Sequence, residues 1–95
     1  MKKFFNVFGS KIKVNYIDLD EETKDLMGWT TRSPIEIFVN KNMSAHDIKL
    51  SILHECFHAV MFRVGLDQVI EESVQEILCE SFADFVHNNF IEKKR

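Results

Sequence analysis

Two histidines and a glutamate stand at metal-binding spacing in the segment His54-Glu55-Cys56-Phe57-His58. His54 and His58 are four residues apart, so on a helix both imidazoles project from one face, one turn apart. Two nitrogens placed in this way can bind one ion, each at roughly 2.0–2.1 Å. Glu55 points about 100° away from His54, where it can reach a water on the ion without being a ligand. The pattern therefore predicts a catalytic zinc site with Glu55 as the general base.

The helix that carries this segment has clear ends in the sequence. Ser44 is a favourable N-cap, and Asp47 three residues later gives a pair like a capping box. Gly65 can end the helix in the left-handed conformation, which predicts a helix over Ala45–Val64. Apolar residues cover most of its circumference, which is typical of a buried helix. The main polar interruption is one narrow stripe that holds Asp47, Ser51, His54 and His58.

A second helix is predicted from about residue 71 or 73 to residue 91, with an apolar face formed by Val74, Ile77, Leu78, Ser81, Phe82 and Phe85. A catalytic zinc site needs a third protein ligand, and this helix offers Glu76 and Glu80 on one face. A ligand must lie where the two helices meet. This favours Glu76, which is nearest to the apolar border formed by Cys79 and Ala83. Glu80 would then hold the second ring nitrogen of a histidine ligand and so orient that ring.

Other assignments of the third ligand stay open from the residues alone. Glu80 could be the ligand with Asp84 as its partner, and His87 lies further along the same face. The glutamates could also form an ordinary solvated surface. In addition, Ser73 with Glu76 spells a capping box, which would engage Glu76 with a backbone N–H group.

The N-terminal half predicts strands. Residues 11–17 alternate apolar and polar side chains, residues 26–31 are a weaker candidate, and Ile35–Asn40 is the clearest. Residues 18–25 are polar and acidic, typical of a loop or of one helical turn. We therefore expect an α+β fold in which a small N-terminal sheet of about three strands packs on an active-site helix and a C-terminal helix. The edge of the strand Ile35–Asn40 could pair with an extended peptide substrate, or this strand could be ordinary sheet core.

The composition indicates one globular domain over residues 1–95. Apolar residues make up 45% of the chain, and the formal net charge is -3 with both signs mixed. The sequence has no basic stripe of the kind that predicts nucleic-acid binding. It also has no apolar run that approaches the ~18 residues of a membrane span. The start, Met1-Lys2-Lys3 and a short apolar run, lacks the cleavage site of a secretion signal. We expect a cytoplasmic protein in which Cys56 and Cys79 are free, with a disulfide between them as the minor alternative.

Two segments resemble the ImmA/IrrE family of metallopeptidases, in particular its small phage and prophage members. The active-site helix of that family is similar to residues 52–59, ILHECFHA, followed by Phe62 and by Gly65-Leu66. The second motif of the family is a glutamate ligand, an acidic or amide residue four positions later, and then an aromatic residue and alanine. Residues 76–83, EILCESFA, are similar to it. The family also has a strand where Ile35–Asn40 is predicted.

The resemblance implies a minimal zincin-like fold of the gluzincin type, in which His54, His58 and Glu76 bind Zn²⁺ and Glu55 is the catalytic base. It also implies a peptide or protein substrate, hydrolysed by a zinc-bound water that Glu55 activates. Position 80 departs from the family pattern, because Glu80 stands where Asp or Asn is commoner.

Two other classes of function remain. A non-catalytic, zinc-stabilised binding or regulatory module of phage origin would use the histidines but would have no use for Glu55, because a structural zinc site is closed. A helical interaction protein without metal would leave the two histidines on their polar stripe unexplained. Metal content after purification without added zinc separates this last class from the others.

Overall fold

The computed structural model of the chain describes residues 3–19 and 26–91. Its elements are the strands β1 Phe4–Val7, β2 Ser10–Ile17, β3 Gly28–Arg32 and β4 Ile35–Asn40, the helix α1 Ala45–Val64, the 3₁₀ turn Leu66–Gln68, the helix α2 Glu72–Val86, and the π-helical turn His87–Ile91 that continues α2. The α+β class and the order of sheet before helices agree with the expectation. Of the segment predicted as a loop or helical turn, residues 20–25 lie outside the described residues. No described helix has the length and apolar character needed to cross a bilayer.

The sheet has the strand order β1-β2-β4-β3. β1 and β2 form an antiparallel hairpin, β2 runs parallel to β4, and β3 is antiparallel to β4. Ile37 in β4 lies between Val14 of β2 and Thr30 of β3. The expectation that the edge of β4 could receive a peptide is therefore wrong, and its alternative, ordinary sheet core, is confirmed. Among the described strands, β3 is the last on this side of the sheet.

β1 is the strand that the sequence analysis does not predict, so the sheet has four strands rather than about three. It pairs with β2 across the turn Phe8-Gly9, whose two residues have φ values of 50° and 83°. Positive φ at both central positions is the conformation of a type I′ turn, which matches the twist of a hairpin. Val7 and Ser10 flank this turn as cross-strand partners.

One face of the sheet packs on α1, and the buried apolar cluster between them consists of Val7, Ile12, Val14, Ile37, Val39 and Ala59. The predicted bounds of α1 are confirmed. Ser44 Oγ accepts a hydrogen bond from the backbone N–H of Asp47 at 3.1 Å. Gly65 adopts φ 82° and donates its N–H to the carbonyl of Met61. Local signals at both ends thus decide where this helix begins and ends.

α2 packs on the rest of the molecule through a different face from the one predicted. Its buried residues are Gln75, Cys79 and Ala83. Ile77 and Phe85, from the predicted apolar face, are 65% and 58% exposed. The predicted orientation is wrong because the small side chains of Cys79 and Ala83 let α2 approach α1 closely, while Phe82 stacks on Phe57 of α1 at the border of the contact with 4.6 Å between ring centroids.

Candidate metal centre

A cleft of about 670 Å³ lies between α1, α2 and β3. The candidate residues predicted from the sequence line it: His54, Glu55, His58, Glu76 and Glu80. α1 supplies the first three from two successive turns, and α2 supplies the two glutamates in the same way. Residues 27–30, at the start of β3, also line the cleft. The packing of α2 on α1 thus brings the candidates from both helices together.

The carboxylate of Glu76 lies between the two imidazoles. Its Oε1 is 3.1 Å from His54 Nε2, and its Oε2 is 2.8 Å from His58 Nε2. One carboxylate thus meets the Nε2 atom of both imidazoles. The alternative capping box does not form, because α2 begins after Glu71 and no side chain caps it. Ser73 therefore lies inside the helix and does not compete for Glu76.

Glu80 contacts the other nitrogen of His54. Its Oε1 is 3.0 Å from His54 Nδ1, and a carboxylate in this position can fix the tautomer and orientation of an imidazole ligand. The side chain of Glu80 is 81% exposed, against 53% for Glu76, so Glu80 lies further toward solvent. The roles of Glu76 as ligand and of Glu80 as orienting partner stay predictions.

The thiol of Cys79 is a further donor at the same place. The ligand atoms of His54, His58 and Cys79 all lie within 4.8 Å of one another. Cys79 is fully buried, and burial raises the pKa of its thiol to about 12, with the charge of Glu76 adding to the rise. The prediction that Cys56 and Cys79 are free is confirmed. The sequence did not reveal that Cys79 faces the histidines, because that depends on the orientation of α2.

These donors fit zinc, which binds imidazole nitrogen, carboxylate oxygen and thiolate sulfur in four-coordinate sites. The remaining ligand candidate, His87, is elsewhere. It is fully buried, its ring stands edge-on to that of His46 with 4.6 Å between centroids, and it does not line the cleft. Asp84, the partner considered for Glu80, does line the cleft.

Glu55 is buried in the wall of the cleft and is held by a threonine of β3. Thr30 Oγ1 donates a hydrogen bond to Glu55 Oε1 at 2.6 Å, and it also lies 3.1 Å from the Glu55 carbonyl oxygen. Burial raises the pKa of Glu55, while the hydrogen bond from Thr30 and the charges of the histidines oppose the rise. Thr30 could not be found from the sequence, because no pattern of neighbouring residues indicates which strand borders α1.

The family model for the IrrE N-terminal-like domain, peptidase family M78, matches residues 9–83. The chain belongs to this metallopeptidase family. The matched part of the M78 domain runs from the β1–β2 turn to Ala83 in α2 and contains all five candidate residues of the cleft. The resemblance to the ImmA/IrrE family is thereby confirmed at the level of the family, whereas the phage origin stays a prediction. Comparisons with curated proteins and with solved structures gave no match.

In this M78 domain, β3 is held against the helices at both of its ends. At Gly28, an added Cβ would lie 2.5 Å from the Phe38 carbonyl oxygen in β4 and 2.9 Å from Ser51 Oγ in α1, so only glycine fits between β4 and the side chain of Ser51. At the other end, Arg32 Nε is 2.7 Å from a carboxylate oxygen of Asp67, in the 3₁₀ turn between the helices. These two contacts fix the strand that carries Thr30.

Proposed function

We propose that this M78 domain is a zinc-dependent peptidase, with His54, His58 and Glu76 as the zinc ligands and Glu55 as the catalytic base. The observation that carries the proposal is the approach of both Nε2 atoms to one carboxylate, at 3.1 Å and 2.8 Å, in a cleft that also contains Glu55. Two imidazole nitrogens and a carboxylate that meet in this way are a donor set that can share one divalent cation.

When bound, zinc polarises a peptide carbonyl and lowers the pKa of a coordinated water toward neutrality. Glu55 is positioned to accept a proton from the attacking water and to pass it to the leaving amine. Thr30 occupies Oε1 of Glu55, so we assign the transferred proton to Oε2. Glu80 engages His54 Nδ1, which leaves Nε2 of that ring for the ion.

An extended peptide is the substrate that fits this cleft best. β3 stands last in the order of the described strands, and its first residues line the cleft. The backbone groups on its outer edge can therefore pair with an added peptide strand. A peptide bound in this way would run beside Thr30, which itself contacts Glu55.

The decisive experiment is the substitution Glu55→Gln, which keeps the size of the side chain and removes its basicity. We expect the variant to retain zinc and to lose hydrolysis by roughly 10²–10⁴-fold. Zinc is measured by elemental analysis, and hydrolysis by mass spectrometry of new N-termini in a mixture of denatured proteins. A variant that retains zinc and cleaves as fast as the wild type would exclude Glu55 as the base.

A non-catalytic zinc-stabilised binding or regulatory module is the second candidate function. The buried thiol of Cys79 favours it, because a fourth protein donor can close a zinc site. In that case the wild type would bind zinc but release no new N-termini, and Glu55→Gln would leave the zinc content unchanged.

A further inference from the structure

We propose that Cys79 is a fourth zinc ligand in the peptide-free protein, so that its thiolate closes the resting centre and must leave before the reaction. This inference rests on the proposed zinc peptidase, and it concerns the coordination position that a zinc peptidase keeps open for water. The structure supports it through the position, the depth and the chemistry of the thiol.

The position of the thiol is within reach of a shared ion. The ligand atoms of Cys79 and of both histidines lie within 4.8 Å of one another. On one tetrahedral zinc, with bonds of about 2.0–2.1 Å to nitrogen and about 2.3 Å to sulfur, a nitrogen and a sulfur stand roughly 3.6 Å apart. A nitrogen and the sulfur therefore need to draw together by about 1.2 Å at most, which side-chain rotations can supply.

The thiol and the carboxylate approach the histidine pair from different depths. Cys79 has no exposed surface, whereas the side chain of Glu76 is 53% exposed. Cys79 therefore lies on the protein side of the pair, and Glu76 lies on the solvent side. Two further acidic groups of the cleft are already engaged, because Glu80 contacts His54 Nδ1 and Glu55 accepts from Thr30. Among the described residues, the thiol is the donor that groups with both histidines.

The binding and release of the thiolate conserve atoms, protons and electrons. When the ion binds, one sulfur–metal bond forms, one S–H bond breaks, and the proton leaves to solvent, as metal ligation by a thiol requires. When a water or a peptide carbonyl replaces the sulfur, the thiolate takes up a proton again. No oxidant, reductant or further reactant is needed.

Cobalt substitution tests the proposal, because Co²⁺ bound by a thiolate has a near-ultraviolet charge-transfer band that nitrogen and oxygen ligands do not give. We expect the wild-type protein loaded with Co²⁺ to show both this band and the visible d–d bands of a bound ion. Cys79→Ala should lose the charge-transfer band and keep the d–d bands. Cys56→Ala is the matched control, because it removes the other thiol, which lies on α1, and should keep both.

The results that would contradict the proposal differ from one another. If the wild-type protein shows d–d bands but no thiolate band, Cys79 is not a ligand and is instead a small core residue. The proposed peptidase function would not be affected by this result. A thiolate band that survives in Cys79→Ala and disappears in Cys56→Ala would overturn the role of Cys79 as well. A protein that takes up neither Co²⁺ nor Zn²⁺ would exclude the proposed function itself. Cys79→Ser, in which oxygen replaces sulfur at nearly the same volume, should lose the band in the same way.

Discussion

At the scale of single residues, Glu76 and Glu80 illustrate how two similar carboxylates can have different tasks. Both reach His54, but Glu76 meets Nε2 and also contacts His58, whereas Glu80 meets only Nδ1. A group that contacts both imidazoles can be a ligand of an ion between them. A group that holds the far side of one ring can only orient that ring.

We therefore expect Glu76→Ala to weaken zinc binding more than Glu80→Ala does. Loss of an orienting partner typically costs about 10–100-fold in metal affinity, and loss of a ligand should cost more. Competition with a chromophoric chelator measures both affinities. Glu71→Ala is the control, since Glu71 precedes α2 and does not line the cleft. The reverse order of the two effects would give the ligand role to Glu80.

The contact of Thr30 with Glu55 predicts a change in pH dependence. The hydrogen bond from Thr30 lowers the pKa of Glu55, against the rise caused by burial. Thr30→Val keeps the shape of the side chain and removes the hydroxyl, so the pKa of Glu55 should rise further. The base is active when deprotonated, hence the acid limb of the activity profile should move to higher pH, with a loss of roughly 10- to 100-fold at neutral pH from the misplaced carboxylate.

Thr30→Ser is the matched control for that prediction, because it restores the hydroxyl without the methyl group. It should return the acid limb to the position of the wild type. An identical pH profile in all three proteins would contradict a role for Thr30 in holding the base, and the kinetic comparison of the three profiles is the measurement.

At the scale of secondary-structure elements, the sequence reveals features that neighbouring residues determine, but not those that depend on contacts between distant segments. The cap at Ser44 and the left-handed Gly65 are local, so the bounds of α1 could be predicted, and with them the placement of His54 and His58 on one face. The order of the sheet is set by pairing between distant segments. For this reason the sequence identified β4 but not its interior position, and it could not place Thr30 beside Glu55.

The orientation of α2 differs from the one that its hydrophobic periodicity predicts, and mutations can test this difference. Ile37 in β4 is fully buried, whereas Ile77 on the predicted apolar face of α2 is 65% exposed. Ile37→Ala should destabilise the protein by about 2–5 kcal/mol, as buried large-to-small changes do. Ile77→Ala should change the free energy of unfolding by no more than about 0.5 kcal/mol. Urea unfolding of the two variants is the measurement, and similar losses would show that α2 buries the face predicted from the sequence.

At the scale of the whole molecule, α2 contributes few fully buried side chains, although Phe82 at its border stacks on Phe57 of α1. Among the described residues, the apolar core draws mainly on the sheet and α1, and the only apolar residues that α2 buries fully are Cys79 and Ala83. The other buried residue of α2, Gln75, donates a hydrogen bond to the carbonyl of Ile70 at 2.7 Å. An ion held by ligands from both helices would therefore contribute a large share of the attachment of α2.

Because an ion held by both helices would attach α2 to α1, we expect chelation of the metal to lower the melting temperature strongly. A ligand at about 1,000 times its dissociation constant stabilises the native state by about 4 kcal/mol, which for a domain of this size corresponds to a shift of about 15–30 °C. Calorimetry with and without EDTA measures the shift. Glu55→Gln should show the same shift as the wild type, because we propose Glu55 as the base and not as a ligand, whereas Glu76→Ala should show a smaller one. A melting temperature that EDTA leaves unchanged would mean that α2 is held without an ion, by protein contacts such as the buried Cys79 and Ala83 and the stacked rings of Phe57 and Phe82.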